Sequence, residues 1–428
     1  MNKERRFAAG ISVSNDTRKS KLNNNDVIIG VSGGGKTGSY VVPYIMDTDE
    51  SFIVSDTKSN LFGKFRKMLE SRGYTVFNID LIDPARSDGY DPLHFIGKVR
   101  RGGKTAYSEK DMLTVANALC PIKNTRDPFW EGQAREVIQL LIAYVLDAFD
   151  EKDHNLATVS DVFRLMSVCI NKHKRVPFLE EHCVAYPDSL ATRKYCMMRG
   201  SFDADRTWGA TFMFVTNALG VFDFDSARNM VTKRSCFSFE SIGKRKTAVF
   251  LNVSDSDRSL DTLVNIFYTQ AFQSLMRLAD RSKDNRLEMP VRLILDDFAT
   301  NCVIPDFDKL LSVVRSREIS VSIILQSISQ LDSGYSVPQK WSILNNCDNL
   351  LYLGGADLST IKYIAERAGK PTEEVMALKL DKAYFIQRGR PTAVLVDKLT
   401  PYADTVRMQQ SGKEVADADA EEAKAPQV

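Results

Sequence analysis

No run of apolar residues in this 428-residue chain is long enough to cross a bilayer. The longest, residues 140–146, falls far short of the ~18 that a membrane helix needs. The basic start, residues 1–6, is followed by no apolar stretch, so it does not read as a signal peptide. Histidine is scarce, with four scattered residues. Cysteine numbers seven, an odd count, and no pair has C-x-x-C spacing. That argues against a disulfide framework or a zinc site and fits a reducing cytoplasm. An excess of either charge is also missing. The 57 basic and 55 acidic residues leave a net charge of +2, so any affinity for nucleic acid has to come from local patches.

What is present suits a soluble globular protein of two or three domains, with 43% hydrophobic and 26% charged residues. One stretch organises the rest: Val27-Ile28-Ile29-Gly30-Val31-Ser32-Gly33-Gly34-Gly35-Lys36-Thr37. Its apolar start reads as a buried strand. A glycine-rich turn follows, and Lys-Thr opens a helix. Gly30, four residues, then Gly35-Lys36-Thr37 is P-loop spacing. Glycines let backbone N–H groups close around phosphate oxygens, and the helix N-terminus adds partial positive charge there. Lys36 supplies a point charge for the β- and γ-phosphates, and the Thr37 hydroxyl is a ligand for Mg²⁺. Gly30, Ser32, Gly33, Gly34, Gly35, Lys36, Thr37 and Gly38 are therefore the candidate nucleotide-binding residues. Pro43 is expected to kink or end the helix that follows.

Along the chain, residues 1–26 are polar and read as a loosely held arm with one short strand. Residues 51–56 and 74–79 read as strands on either side of a helix over 61–71, with Gly73 as its C-cap. This spacing predicts βαβ crossovers in a parallel sheet. From about 93 to 241 the apolar residues follow helical spacing and strand signals are sparse, which predicts an inserted all-α domain. Basic groups there (Lys98, Arg100, Arg101 and Lys104; Lys172, Lys174 and Arg175; Arg193, Lys194 and Arg199) are either solvated faces or, with Tyr195, Phe202 and Trp208, a nucleic-acid path. Strands return at 246–253, 291–297, 319–326 and 350–353, with a helix over 260–279. A hairpin spans 383–387 and 392–396. The fold class expected is α/β, a P-loop core of 27–92 and 242–402 with a mainly parallel sheet. The tail, 403–428, is acidic and reads as disordered.

Asp296-Asp297 closes a hydrophobic strand. The first acid can hold Mg²⁺, as a Walker B aspartate does, and the second can polarise an attacking water as general base. Gln326 ends the next β-rich run, where ligands of parallel sheets gather. It is either a γ-phosphate sensor that orients water or a loop amide bonded to backbone. Arg315 and Arg317 follow a helix over 307–314. Either could act as an arginine finger on a neighbouring subunit, and either could equally be a solvated helix end.

Several of these segments, in this order and spacing, resemble one family. Asp296-Asp297-Phe298-Ala299, Ile304-Pro305-Asp306-Phe307, Val314-Arg315-Ser316-Arg317 and Gln326-Ser327-Ile328-Ser329-Gln330-Leu331 look like motifs of the type IV coupling proteins, the conjugative DNA-transfer ATPases of type IV secretion systems. Trp341, Ile343 to Cys347, Leu351 to Gly355, Asp127-Pro128-Phe129-Trp130 and Ser55-Asp56-Thr57-Lys58 extend the match over about residues 27–400. The resemblance implies a RecA-like domain carrying an all-α domain. It also implies a ring, usually a hexamer, at the cytoplasmic mouth of a secretion channel. The implied cargo is single-stranded DNA with an attached relaxase. Lys36, Thr37, Asp296, Asp297 and Gln326 would be nucleotide-site residues, with Arg315 as finger.

Three features depart from the family pattern. The acid pair is Asp-Asp where Asp-Glu is commoner. Residues 55–60 lack the usual proline, glycine and acid. The chain also starts almost at the P-loop, where family members usually begin with transmembrane helices. That leads to the expectation of a soluble form, or of a separate subunit that anchors it at the inner face of the membrane. The expected function is an ATP- and Mg²⁺-dependent motor that couples DNA or nucleoprotein to a conjugation channel. The alternatives are a soluble DNA translocase of the chromosome-segregation or end-processing type, and a non-hydrolysing, nucleotide-gated adaptor that recruits relaxase.

Overall fold

Short runs of β-branched and aromatic residues, buried along their length, become strands, and longer amphipathic stretches become helices. The computed structural model describes residues 4–101, 103–122, 126–234, 237–298, 303–390 and 392–399. β1 (Glu4–Ala8) and β2 (Ile11–Ser14) form an antiparallel hairpin, and β3 (Asp26–Ile29), β4 (Ser51–Asp56) and β5 (Thr75–Asp80) follow. β6 (Lys98–Arg101) and β7 (Lys104–Tyr107) form a second hairpin. The remaining strands are β8 (Thr247–Asn252), β9 (Val291–Leu295), β10 (Ile319–Leu325), β11 (Asn349–Tyr352), β12 (Lys382–Gln387) and β13 (Val394–Asp397).

Nine of these make one sheet in the order β13-β12-β11-β3-β10-β9-β4-β8-β5. From β11 to β5 every pair is parallel, while β12 runs antiparallel to both its neighbours. Strands covered on both faces are largely apolar, and their side chains alternate between two cores. Val27 and Ile29 face the larger core, and Ile28 the smaller. The larger core is continuous with the helices that follow β7. The smaller is closed by Phe7 of β1, Tyr40 and Phe52.

Parallel strands need crossovers, and here the crossovers skip places. β3 and β4 are separated by β10 and β9, and β4 and β5 by β8. The helix between β4 and β5 is Leu61–Ser71, with Gly73 at φ 83° just past its end. The Asp56 carboxylate accepts from the backbone N–H groups of Lys58, Asn60 and Leu61, which anchors this helix to the end of β4.

The chain leaves the sheet after β5 and returns at β8, its hydrogen-bonded neighbour. Among the described residues, eight α-helices lie between them, from Glu109–Leu119 to Phe239–Ile242, packed largely around Phe129–Ala148. That central helix is buried at every position from 137 to 143, so it is an interior helix and not a one-sided one. Among the described residues no helix is long and apolar enough to cross a membrane.

Two expectations need correction. The β6–β7 hairpin interrupts the region read as purely helical. Lys98, Arg100, Arg101 and Lys104 hide the strand period from an apolar pattern. Residues 4–26 are also not a loose arm. Arg5 is 2% exposed and its guanidinium donates to both carboxylate oxygens of Asp26, at 2.9 and 2.7 Å. A charged residue inside the core looks like loop composition in sequence. The acidic tail lies outside the described residues.

Candidate nucleotide site

The site begins where β3 runs out. Gly30 N–H still bonds to the Leu325 carbonyl of β10 at 3.0 Å, while Val31 N–H turns to the Gly354 carbonyl beyond β11 at 3.3 Å. The chain then makes a loop that only glycine accommodates well. Gly33 and Gly35 have φ of +75° and +90°, and a Cβ on Gly34 would lie 2.9 Å from the Val31 carbonyl oxygen. Thr37–Val41 is a π turn that leads into the α-helix Val42–Asp47. Pro43 sits in the first turn of that α-segment, so the helix is neither ended nor broken there. The widened turn re-spaces the acceptors around a residue with no N–H to give.

The Lys36 side chain folds back over the loop. Its Nζ donates to the Val31 carbonyl at 3.4 Å and lies 3.8 Å from Asp297 Oδ1. The Thr37 hydroxyl donates to Asp296 Oδ2 at 2.7 Å. Asp296 follows β9, and Ser55 of β4 clasps it. The Ser55 hydroxyl accepts from the Asp296 N–H at 2.7 Å and donates to its carbonyl at 3.1 Å. Burial pushes the Asp296 carboxyl up to about 6; the Thr37 hydrogen bond opposes that rise and the charge of Asp297 adds to it. Asp297 has φ +49°, a left-handed conformation that aspartate tolerates better than most residues. Gln326, just past β10, reaches Asp297 Oδ1 with its Nε2 at a long 3.5 Å, and its N–H donates to Gln330 at 2.7 Å.

P-loop, acid pair and Gln326 therefore meet at the carboxyl end of the sheet. Ser32 and Gly33 are exposed on the loop, and Gly38 lies in the first helical turn. Arg315 is not brought there. It is exposed in the 3-10 turn Arg315–Arg317 that leads into the amino end of β10. β10 is parallel to β3 and seven residues long, so Arg315 lies at the opposite end of the sheet, roughly 20 Å off at ~3.3 Å per residue. Arg317 pairs with Asp280 at 2.8 Å.

Two residues escaped sequence reasoning. Ser55 was part of a motif but carried no role. Lys398, just past β13, has no local signature. Its Nζ donates to the Gly34 and Leu353 carbonyls at 3.2 and 2.9 Å. It borders a cavity of about 640 Å³ beside the P-loop, also lined by Val31, Leu353, Met376 and Leu380.

The donor set suits a phosphate-bound Mg²⁺. The Thr37 hydroxyl and Asp296 carboxylate are adjacent hard oxygens. Mg²⁺ takes one or two such protein ligands and completes its shell with phosphate and water.

A mainly parallel sheet with a glycine loop ending one strand and an acid pair ending the next but one defines a P-loop nucleoside-triphosphatase fold. The description of type IV secretory system conjugative DNA transfer belongs to a family model that matches residues 2–382. The chain is a member of that family.

Protein VirD4 of Rhizobium rhizogenes is 23% identical over 360 residues, covering 84% of this chain and 51% of its own length. The type IV secretion system-coupling protein VirD4 of Bartonella henselae is 22% identical over 377 residues, covering 84% and 55%. The chain thus spans about half the length of the curated relatives it matches. Among solved structures, the unbound bacterial conjugative coupling protein TrwBdeltaN70 superposes with TM-score 0.67 at 15% identity, covering 93% of this chain and 89% of that one. TrwB in complex with ADP and Mg²⁺ gives TM-score 0.67 at 16% identity over the same shares. VirB4 of Thermoanaerobacter pseudethanolicus gives 0.56 at 12%, covering 94% and 97%. At such identities the likeness is one of fold.

Proposed function

We propose that this chain is an ATP-driven coupling protein that delivers DNA, or a relaxase–DNA nucleoprotein, to a type IV secretion channel. One observation carries the reading. Lys36, Thr37, Asp296 and Asp297, drawn from two distant segments, converge within hydrogen-bond and ion-pair reach. The relatives add support, since TrwB has been solved with the non-hydrolysable ATP analogue ADPNP and with ADP and Mg²⁺.

The loop N–H groups and Lys36 take the phosphates. Thr37 and Asp296 hold Mg²⁺, which when bound offsets charge on the phosphoryl oxygens. The proton of the attacking water passes to the Asp297 carboxylate, and Gln326, within reach of Asp297, holds that water's orientation. Arg315, remote from the site of its own chain, acts on a neighbour's nucleotide in a homo-hexameric ring. Residues 27–92 and 242–402 form the motor, and the helices within 93–241 select cargo. The ring works at the cytoplasmic face of the membrane, held there by channel components or a separate anchor.

Steady-state ATP hydrolysis, with and without single-stranded DNA, tests this beside Lys36→Ala. Turnover that DNA stimulates and the substitution removes is the expected result. ATP binding without turnover under every condition would overturn the motor and leave the recruiting adaptor. A preference for duplex DNA with no binding to channel components would favour a soluble translocase.

A further inference from the structure

We propose that Lys398 is a positioning residue of the nucleotide site, holding the Gly34–Gly35 peptide so that its N–H faces the phosphates. This rests on the nucleotide-site reading above. A trans peptide is planar, with its C=O and N–H pointing in opposite directions. Lys398 Nζ holds the Gly34 carbonyl oxygen at 3.2 Å, so the Gly35 N–H is turned away from Lys398. That N–H belongs to the P-loop set that wraps phosphate.

The peptide needs such a hold. Gly33, Gly34 and Gly35 are consecutive, and two of them already have positive φ. Without side chains, the peptide planes between them rotate at little steric cost. A rotated Gly34–Gly35 plane would aim a carbonyl oxygen at an anion. Lys398 opposes that rotation from a fixed point. Its second bond, 2.9 Å to the Leu353 carbonyl, ties it to the sheet, because Leu353 N–H continues the β11–β3 ladder to the Ile29 carbonyl at 2.7 Å.

The lysine is in turn delivered by the antiparallel strands at the sheet edge. Its own N–H donates to the Asp381 carbonyl ahead of β12 at 2.9 Å. The Ala9 N–H, in the N-terminal hairpin, donates to the Asp397 carbonyl at 3.0 Å. The ammonium is half-buried, and burial lowers its pKa against the opposing charge of Asp381. A lysine kept in such a place, with its charge on two backbone carbonyls, offsets its desolvation by those bonds.

Binding of a fluorescent ATP analogue and of inorganic tripolyphosphate tests this on the full chain, using wild type, Lys398→Met, Lys398→Arg and Lys36→Ala. Methionine keeps the length and removes the donors. Lys398→Met is expected to weaken both ligands about tenfold. Lys398→Arg restores most of the affinity, since a guanidinium also donates to carbonyls. Equal loss for both ligands ties the effect to the phosphates and not to the base. A melting curve matching wild type shows that the fold is kept. Unchanged affinity in Lys398→Met, or loss confined to the ATP analogue, overturns the inference. Absence of binding by wild type, or no effect of Lys36→Ala, overturns the nucleotide site itself.

Discussion

The Thr37 hydroxyl meets the Asp296 carboxylate at 2.7 Å across 259 positions of sequence. One comes from the start of the loop helix and the other from the end of β9. Only the parallel order β3-β10-β9 brings them together. Both are oxygen donors that Mg²⁺ accepts. Thr37→Val keeps the shape and deletes the hydroxyl. It is expected to abolish the Mg²⁺-dependent part of nucleotide affinity, about tenfold, while affinity in excess chelator stays as in wild type. Titrations with and without Mg²⁺ check this, and a variant that still responds fully to Mg²⁺ refutes the ligand assignment.

Lys36 is 7% exposed and lies 3.8 Å from Asp297. Lys36→Ala removes a preplaced charge and is expected to cut ATP turnover by about 10²-fold or more. Turnover at the wild-type rate would move the active site elsewhere.

Asp297 sits at φ +49°, a conformation that asparagine also tolerates. Asp297→Asn therefore removes the charge with little backbone strain. Turnover is expected to fall by about 10²-fold, with nucleotide affinity equal or higher because Lys36 loses its nearby anion. Asp297→Glu carries the carboxylate about one bond length farther and is expected to match or exceed wild-type turnover, as long as the left-handed backbone is kept. Single-turnover and equilibrium-binding measurements separate these effects.

Arg5, Asp26, Arg292 and Tyr40 form a buried network. Asp26 accepts from Arg5, from Arg292 at 2.9 Å and from the Tyr40 hydroxyl at 2.7 Å. Burial pushes the Asp26 carboxyl up, but the two guanidiniums outweigh it and hold it below the usual carboxylate range. Arg5→Ala breaks one pair in a dry place and is expected to destabilise the fold by about 3–5 kcal/mol. Tyr40 belongs to the loop helix, so nucleotide binding should weaken as well. Denaturant unfolding of the variant, with and without nucleotide, reads both effects.

Asp91 precedes the β6–β7 hairpin. It is fully buried, with its carboxylate accepting from the N–H groups of Leu93 and Leu156 at 2.7 and 2.8 Å. Burial outweighs these bonds and pushes its pKa up to about 7. A raised carboxyl pKa means that folding favours the protonated form. Its stabilisation is complete below an unfolded carboxyl's pKa of ~4 and is lost as pH rises through about 7. Between about pH 5 and about pH 8, wild type is expected to lose more melting temperature than Asp91→Asn. Equal slopes would contradict this.

The P-loop was legible because its chemistry is local. Glycines with positive φ, a lysine and a threonine must be consecutive, and a strand of Val27, Ile28 and Ile29 must precede them. The acid pair was legible for the same reason, as the polar end of Val291–Leu295. Strand order was not legible, since it rests on pairings between residues hundreds of positions apart. Arg5 and Asp26 misled because a buried ion pair has loop composition. Lys398 is one of many lysines, and only tertiary structure shows which carbonyls it touches.

The strand order has a consequence for how the chain is made. Of the nine strands in the large sheet, β3, β4 and β5 are made first, yet no two of them are neighbours. Every sheet partner of these three lies at residue 247 or beyond. Until then the described strands can pair only as the local hairpins β1–β2 and β6–β7, and these three strands emerge from the ribosome unpaired. The intervening helices have time to pack while the strands wait. Long-range parallel pairing of this kind folds slowly and exposes strand edges in the interval. A fragment that stops before β8 contains the whole P-loop but no partner for the strand that carries it.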